Sequence, residues 1–208
     1  MATLEILGRV TSINVRKVMW TCDLIGIGYA LEVWGMPNRD PKVPEFLKLN
    51  PNAQVPVIID DGFVLWESNA IMRYLSESRR SGLWPVAVRE RALVDQWLTW
   101  QVAELNAQWG YAVYALMRKH PAFTDETRIA DSIRNWTARM RILEAQLQAG
   151  GGFAANGRLS IADIGLAVSS HRWFSTPFDR PELPAVSEHY ERLKATPEGQ
   201  EYLGEGTP

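Results

Sequence analysis

The sequence predicts an α/β domain built on a mixed β-α-β-α-β-β-α sheet, followed by an all-α domain. Three observations carry this expectation. Short apolar runs alternate with helical periodicity through the first eighty residues. An Asp61-Gly62 pair separates two of those runs at the spacing of a tight hairpin. Beyond "RRSGLWPVAV" the strand pattern stops, and apolar residues recur only at steps of three and four.

The elements come in order. "LEIL" at 4–7 is the first apolar run. From Asn14 to Ile25, the residues Val15, Val18, Met19, Cys22 and Ile25 keep helical spacing, and Gly26 and Gly28 stop the helix. "YALEVW" at 29–34 reads as a second strand, and two strands joined through a helix should lie parallel. A loop rich in proline and charge, Met36 to Pro44, leads into a short helix around Glu45 to Leu49. The strands 57–60 and 63–66 then form the hairpin, with Gly62 accepting the positive φ of its turn. A helix from Asn69 to Ser78 closes the series, its stripe being Ala70, Ile71, Tyr74 and Leu75, with Ser68 as the expected N-cap.

The second half reads differently. Leu93, Val94, Trp97, Leu98, Val102, Leu105, Trp109, Val113, Leu116 and Met117 describe one long amphipathic helix. Ile129, Ile133, Trp136, Met140, Leu143 and Leu147 describe another, opened by Asp125 and Glu126 and ended by Gly150-Gly151-Gly152. "LSIADIGLAV" opens a third. Ser160 and Asp163 have capping-box spacing, and Leu159 and Ile164 the spacing of a hydrophobic staple. Surface helices follow Pro181 and Pro184. The expected division is 1–80, a linker at 81–88, and 89–208.

Composition narrows the function classes. The chain has 208 residues, 46% hydrophobic and 22% charged, with a formal net charge of −2, so nothing in its charge points to nucleic acid or an anionic membrane. Its single cysteine, Cys22, excludes an internal disulfide and fits a reducing, cytoplasmic setting. No signal peptide is expected after Met1, and no apolar stretch approaches the ~20 residues of a membrane span. His120, His171 and His189 lack zinc spacing, so no metal is expected.

Three fragments carry chemistry. Ser68 at a helix start, with its hydroxyl and the free N–H groups of the first turn, suits a carboxylate, and Glu67 beside it suits an ammonium. Adjacent sites of that kind recognise an α-amino-acid head group. Val55-Pro56 precedes a central strand; a cis bond there would turn the Val55 main chain outward, ready to pair with an extended peptide. Ser12 and Asn14 stand at the start of the first helix, where a thiolate gains from the dipole and from a donated hydroxyl hydrogen bond.

"SINVRKV", "NPNAQVPVIIDDG" and "LWESNAIMRYL", followed by a helical half with "LSIADIGLA", resemble a glutathione transferase of the cytosolic, serine-using type. The segment "HRWFSTPFDRPELPAVSEHYERLKATP" is similar to a bacterial subgroup of that family. The resemblance implies a thioredoxin-like N-terminal domain, a helical C-terminal domain and a homodimer. It implies that Glu67 and Ser68 hold the γ-glutamyl head group, that Val55 and Pro56 pair with the peptide, and that Gln54 lies near the glycyl end. Arg39 or Lys42 would meet the glycyl carboxylate. Ser12 would activate the thiol, assisted by Asn14, although Thr11 next to it could share that role. There is no tyrosine near the start of the first helix and no cysteine at position 12, so the tyrosine-using and cysteine-using types are disfavoured.

Glutathione would then be the co-substrate, conjugated to a small, partly apolar electrophile. Trp109, Tyr114, Met117 and Trp173 are candidates for the electrophile wall, and Arg9 and Arg118 for a cationic end suited to an acidic electrophile. Glutathione-dependent disulfide reduction, and non-catalytic binding of glutathione or an apolar ligand, stay open as alternatives.

Overall fold

The computed structural model describes residues 4–204; Met1, on which the expectation about a signal peptide rests, lies outside them. The first half contains β1 (Leu4–Gly8), α1 (Ile13–Leu24), β2 (Tyr29–Val33), α2 (Pro44–Leu47), β3 (Val57–Asp60), β4 (Phe63–Trp66) and α3 (Ser68–Ser78). The strands form one sheet in the order β2-β1-β3-β4. β1 and β2 are parallel, as a helical crossover requires, and the other two pairings are antiparallel. Asp61 and Gly62 both have positive φ, 50° and 81°, which matches the right-handed twist of the β3–β4 hairpin.

Strand alternation sorts the apolar side chains between two faces. Leu4, Ile6 and Ile58 join the core formed with α1 and α3, whereas Leu7 and Val57 pack with Trp34 and Phe46 on the opposite face. Phe46 reaches that face from α2, its ring centroid 4.7 Å from that of Trp34. A four-stranded mixed sheet carrying helices on both faces is the thioredoxin-like arrangement.

Every regular element after α3, among the described residues, is helical. These are α4 (Val88–Trp100), α5 (Asn106–Ala112), α6 (Glu126–Ala149), α7 (Ile161–Ser175), α8 (Pro184–Lys194) and α9 (Pro197–Tyr202). The expected long helix exists but is not regular. π-helical turns at Gln101–Leu105 and Val113–Met117 join α4 to α5 and close α5. Arg118 N–H donates to the Val113 carbonyl five residues back, at 3.0 Å. Each such turn inserts one residue and rotates the downstream part of the helix.

α7 is the central helix of this half. Ile161 to Trp173 are all buried, as expected of a helix that is apolar around its circumference. The Ser160–Asp163 capping box is present and does more than cap. Asp163 accepts from the Ser160 N–H and hydroxyl, each at 2.8 Å, from Ala154 N–H at 2.9 Å, and faces His189 Nε2 at 3.1 Å. Asp163 and His189 are both fully buried. α9 returns the chain to α1: Arg16 Nη1 donates to the Tyr202 carbonyl at 2.8 Å, and the Tyr202 hydroxyl donates to Asp23.

Asp163→Ala removes one acceptor from four buried donors, and a loss of roughly 3–5 kcal/mol is expected because each donor then stays desolvated without a partner. Urea denaturation of the variant against the parent chain measures it.

Candidate functional site

α1 begins with Ile13, and Ser12 is its N-cap residue, with extended backbone (φ −87°, ψ 122°). A serine in that position commonly closes its own helix through its side chain. Ser12 does not: its hydroxyl makes no capping bond, and it lines a cleft of about 440 Å³ between the sheet-bearing half and the helical half. The residues around this cleft include Arg9, Thr11, Ser12, Asn14, Gln54, Glu67 and Ser68 from the first half. The hydroxyl and the dipole of α1 therefore face the same space, which favours an anion there.

The Glu67-Ser68 corner differs from its expected form. Ser68 is not the N-cap of α3 but its first helical residue; Glu67 caps the helix with φ 71° and ψ 106°. Residue type pointed to Ser68, but the backbone reversal falls one residue earlier. Positive φ in a non-glycine residue costs on the order of 1–3 kcal/mol. That conformation leaves the Glu67 side chain exposed at the cleft while Ser68 turns inward, and the Ser68 hydroxyl donates to Asn14 Oδ1 at 3.3 Å. Asn14 is thus occupied as an acceptor, and its amide NH2 is the group left to offer a ligand.

The Val55-Pro56 peptide is cis. Val55 lies outside the sheet ladder, which starts at Val57. The Gln54 carbonyl accepts from Asn50 Nδ2 at 2.8 Å, which anchors the loop, while the Gln54 side chain reaches the cleft lining.

Arg39 is not brought to the cleft. Glu32 and Glu45 hold its guanidinium, which also stacks 3.6 Å from the centroid of Trp34, so the loop arginine belongs to the opposite sheet face. Of the helical candidates, Trp109, Tyr114 and Arg118 line the cleft, as does Arg9 from the first half. Met117 and Trp173 are not among the lining residues. Tyr114 lies inside the π turn that closes α5 and Arg118 directly follows it; both line the cleft, whereas Met117 between them does not. Trp173 is fully buried, its ring 5.0 Å from those of Trp136 and Phe178.

Four lining residues are not among the candidates read from the sequence: Ile13, Val102, Asn106 and Arg172. Asn106 accepts from Trp109 Nε1 and from the Ser169 hydroxyl, each at 3.0 Å. Ser169 in turn accepts from Gln101 Nε2 at 2.8 Å. Asn69, next to Ser68, donates to the Leu98 carbonyl at 2.9 Å and to Gln101 Oε1 at 3.5 Å, and accepts from Lys17 Nζ at 2.7 Å. Lys17 is fully buried on α1, and burial pushes its ammonium down to about 7, with Glu67 pulling upward and Arg73 downward. Cys22 lies away from the cleft, fully buried, its thiol pushed up to about 12 by burial and by Asp23. Among the described residues, no group of three or more His, Cys, Asp and Glu side chains could hold a metal. No helix among them is long and apolar enough to cross a membrane.

A thioredoxin-like half and a helical half share one cleft, with a serine at a helix start on one wall and aromatic rings with two arginines on the other. Comparison with known proteins gives the family. The family model "Glutathione S-transferase, N-terminal domain" matches residues 11–78. The theta class glutathione S-transferase of Xanthomonas axonopodis pv. citri, with glutathione bound, is 32% identical with a TM-score of 0.91, over 100% of both chains. Its apo form gives 31% and 0.83, over 98% of this chain and 97% of that one. Glutathione S-transferase GstB of Escherichia coli K12 is 28% identical over 193 residues, 91% of this chain and 92% of the relative. The chain belongs to the glutathione S-transferase family.

Lys17 sets a pH dependence. Its pKa falls from 10.5 in the unfolded chain to about 7 in the folded one, so between these values the unfolded state binds more protons. Stability therefore rises with pH above 7, by about 1.4 kcal/mol per unit at most. Denaturation midpoints measured from pH 7 to pH 8.5 should climb in the parent chain, and that climb should vanish in Lys17→Met.

Proposed function

We propose that this protein joins the sulfur of glutathione to a small electrophile. One observation carries the reading: the Ser12 hydroxyl, unused by its own helix, opens onto the same cleft as the Glu67-Ser68 corner. The first is a thiolate partner, the second an amino-acid head-group partner, and glutathione carries both groups in one extended molecule.

In this reading the head-group ammonium lies on Glu67, and its carboxylate meets Ser68 and the free N–H groups of α3. The Val55 main chain pairs with the peptide, and Gln54 lies near the glycyl end. Lys42, outside the cleft lining, has no assigned contact. Ser12 donates its hydroxyl hydrogen to the sulfur, and the α1 dipole with the Asn14 amide adds to the stabilisation of its negative charge. The thiol proton goes to solvent. The thiolate then forms the new C–S bond, and the leaving group departs with the electron pair of the bond that breaks. The protein supplies little proton transfer; it holds an ionised sulfur against a positioned electrophile. The same reading makes the active form a cytoplasmic homodimer, for which light scattering should give twice the chain mass.

The thiolate test is direct. Ultraviolet titration of bound glutathione should give a thiol pKa about two units below its solution value of ~8.5. In Ser12→Ala the pKa should return, and kcat/KM near neutral pH should fall about 100-fold, which corresponds to ~2.7 kcal/mol. An undepressed pKa in the parent chain would make the protein a binder. Turnover of disulfides with none of aryl halides would make it a reductase, although no cysteine lines the cleft.

A further inference from the structure

The helical wall of the cleft contains an unusual cation. Arg172 lies on α7, whose other ionisable side chains are Asp163 in its first turn and His171 next to it in sequence, and is only 4% exposed. Its guanidinium makes no hydrogen bond to any described residue, and its Nε is fully buried without a partner. No carboxylate among the described residues offsets it. The charges that act on it most strongly are Arg118 and Arg16, both of the same sign, and its pKa is pushed down to about 9, first by burial and then by those two. A desolvated guanidinium without an acceptor is costly, and such groups in folded proteins normally have a carboxylate or several carbonyls around them. Here the open side is the cleft itself.

The surroundings specify the group that would complete it. The guanidinium carbon stands 4.6 Å from the Trp109 ring centroid, a stacking contact that fixes the plane of the fork. Arg118, on the same wall, stands 4.7 Å from the centroid of Tyr114. Of the described charged residues that line the cleft, three are arginines, Arg9, Arg118 and Arg172, and Glu67 is the only acid. Two oriented guanidinium groups beside two aromatic rings match a planar ring bearing a carboxylate.

We propose that the second substrate is an aromatic electrophile carrying a carboxylate, with the carboxylate on Arg172 and Arg118 and the ring against Trp109 and Tyr114. That the ligand is an electrophile rests on the transferase reading; that an aromatic carboxylate binds here does not.

Two measurements test it. Calorimetry of the protein with para-nitrobenzoate, which the thiolate does not consume, reports the anion site alone, with para-nitrobenzamide as its neutral counterpart. Turnover of a chloronitrobenzoate against the matching amide, each corrected for its uncatalysed rate with glutathione, reports the substrate preference. A preference for the acid of about tenfold or more is expected in both, as charge-assisted bidentate hydrogen bonds require. Arg172→Met should lower the acid-to-amide ratio about tenfold, with Arg172→Lys and Arg118→Gln in between. Should Arg172→Met not fold, the parent chain, Arg172→Lys and Arg118→Gln still decide. Equal binding of acid and amide by the parent chain overturns the proposal. So does a loss in the variants that falls on S-methylglutathione rather than on nitrobenzoate, because the arginine then serves the tripeptide. Arg172-dependent binding of nitrobenzoate without any turnover would leave the anion site standing and remove the transferase reading.

Discussion

A line of hydrogen bonds, buried from Lys17 to Ser169 and half-buried where it reaches the cleft, joins the two halves of this protein. It starts at Lys17 on α1, passes to Asn69 on α3, crosses to Gln101 in the first π turn, and continues through Ser169 on α7 to Asn106 and Trp109 on α5. Five elements meet along it. In a low-dielectric interior each polar group must find its partner, so the line tolerates only one register between the halves. Apolar packing alone would let the helical half slide. The line instead ties the Trp109 wall to the helix that follows the Glu67-Ser68 corner.

The cleft is electrically divided. Glu67, Arg9 and the opening turn of α1 belong to the sheet-bearing wall, and Arg118 and Arg172 to the helical wall. The α1 dipole favours negative charge, and Asn14 couples that turn to the corner through Ser68. A ligand with a positive head and a negative centre therefore has one favoured orientation.

Much of this was legible in the residues, and the gaps have physical causes. The hairpin, the capping box and the cleft residues Ser12, Asn14, Gln54, Glu67 and Ser68 follow from turn chemistry, helix-start chemistry and family resemblance. The exact cap of α3 does not, because a glutamate at positive φ has no local signature and the reversal is imposed by its surroundings. Met117 misleads because a π turn shifts phase without any change in residue pattern. Arg39 has cleft-like chemistry but is captured by Glu32, Glu45 and Trp34, which no local window reveals. Arg172 is silent in the sequence for a related reason: an arginine in an apolar helix reads as a surface residue until α7 is seen to be central.

Cys22 has a consequence of its own. It is the chain's one cysteine, and it sits in the core with its thiol held protonated far above neutral pH. A reagent hungry for sulfur that enters the cleft would meet no thiolate belonging to the polypeptide. Burial of that one thiol shields the polypeptide itself from alkylation at cysteine, whatever the cleft holds.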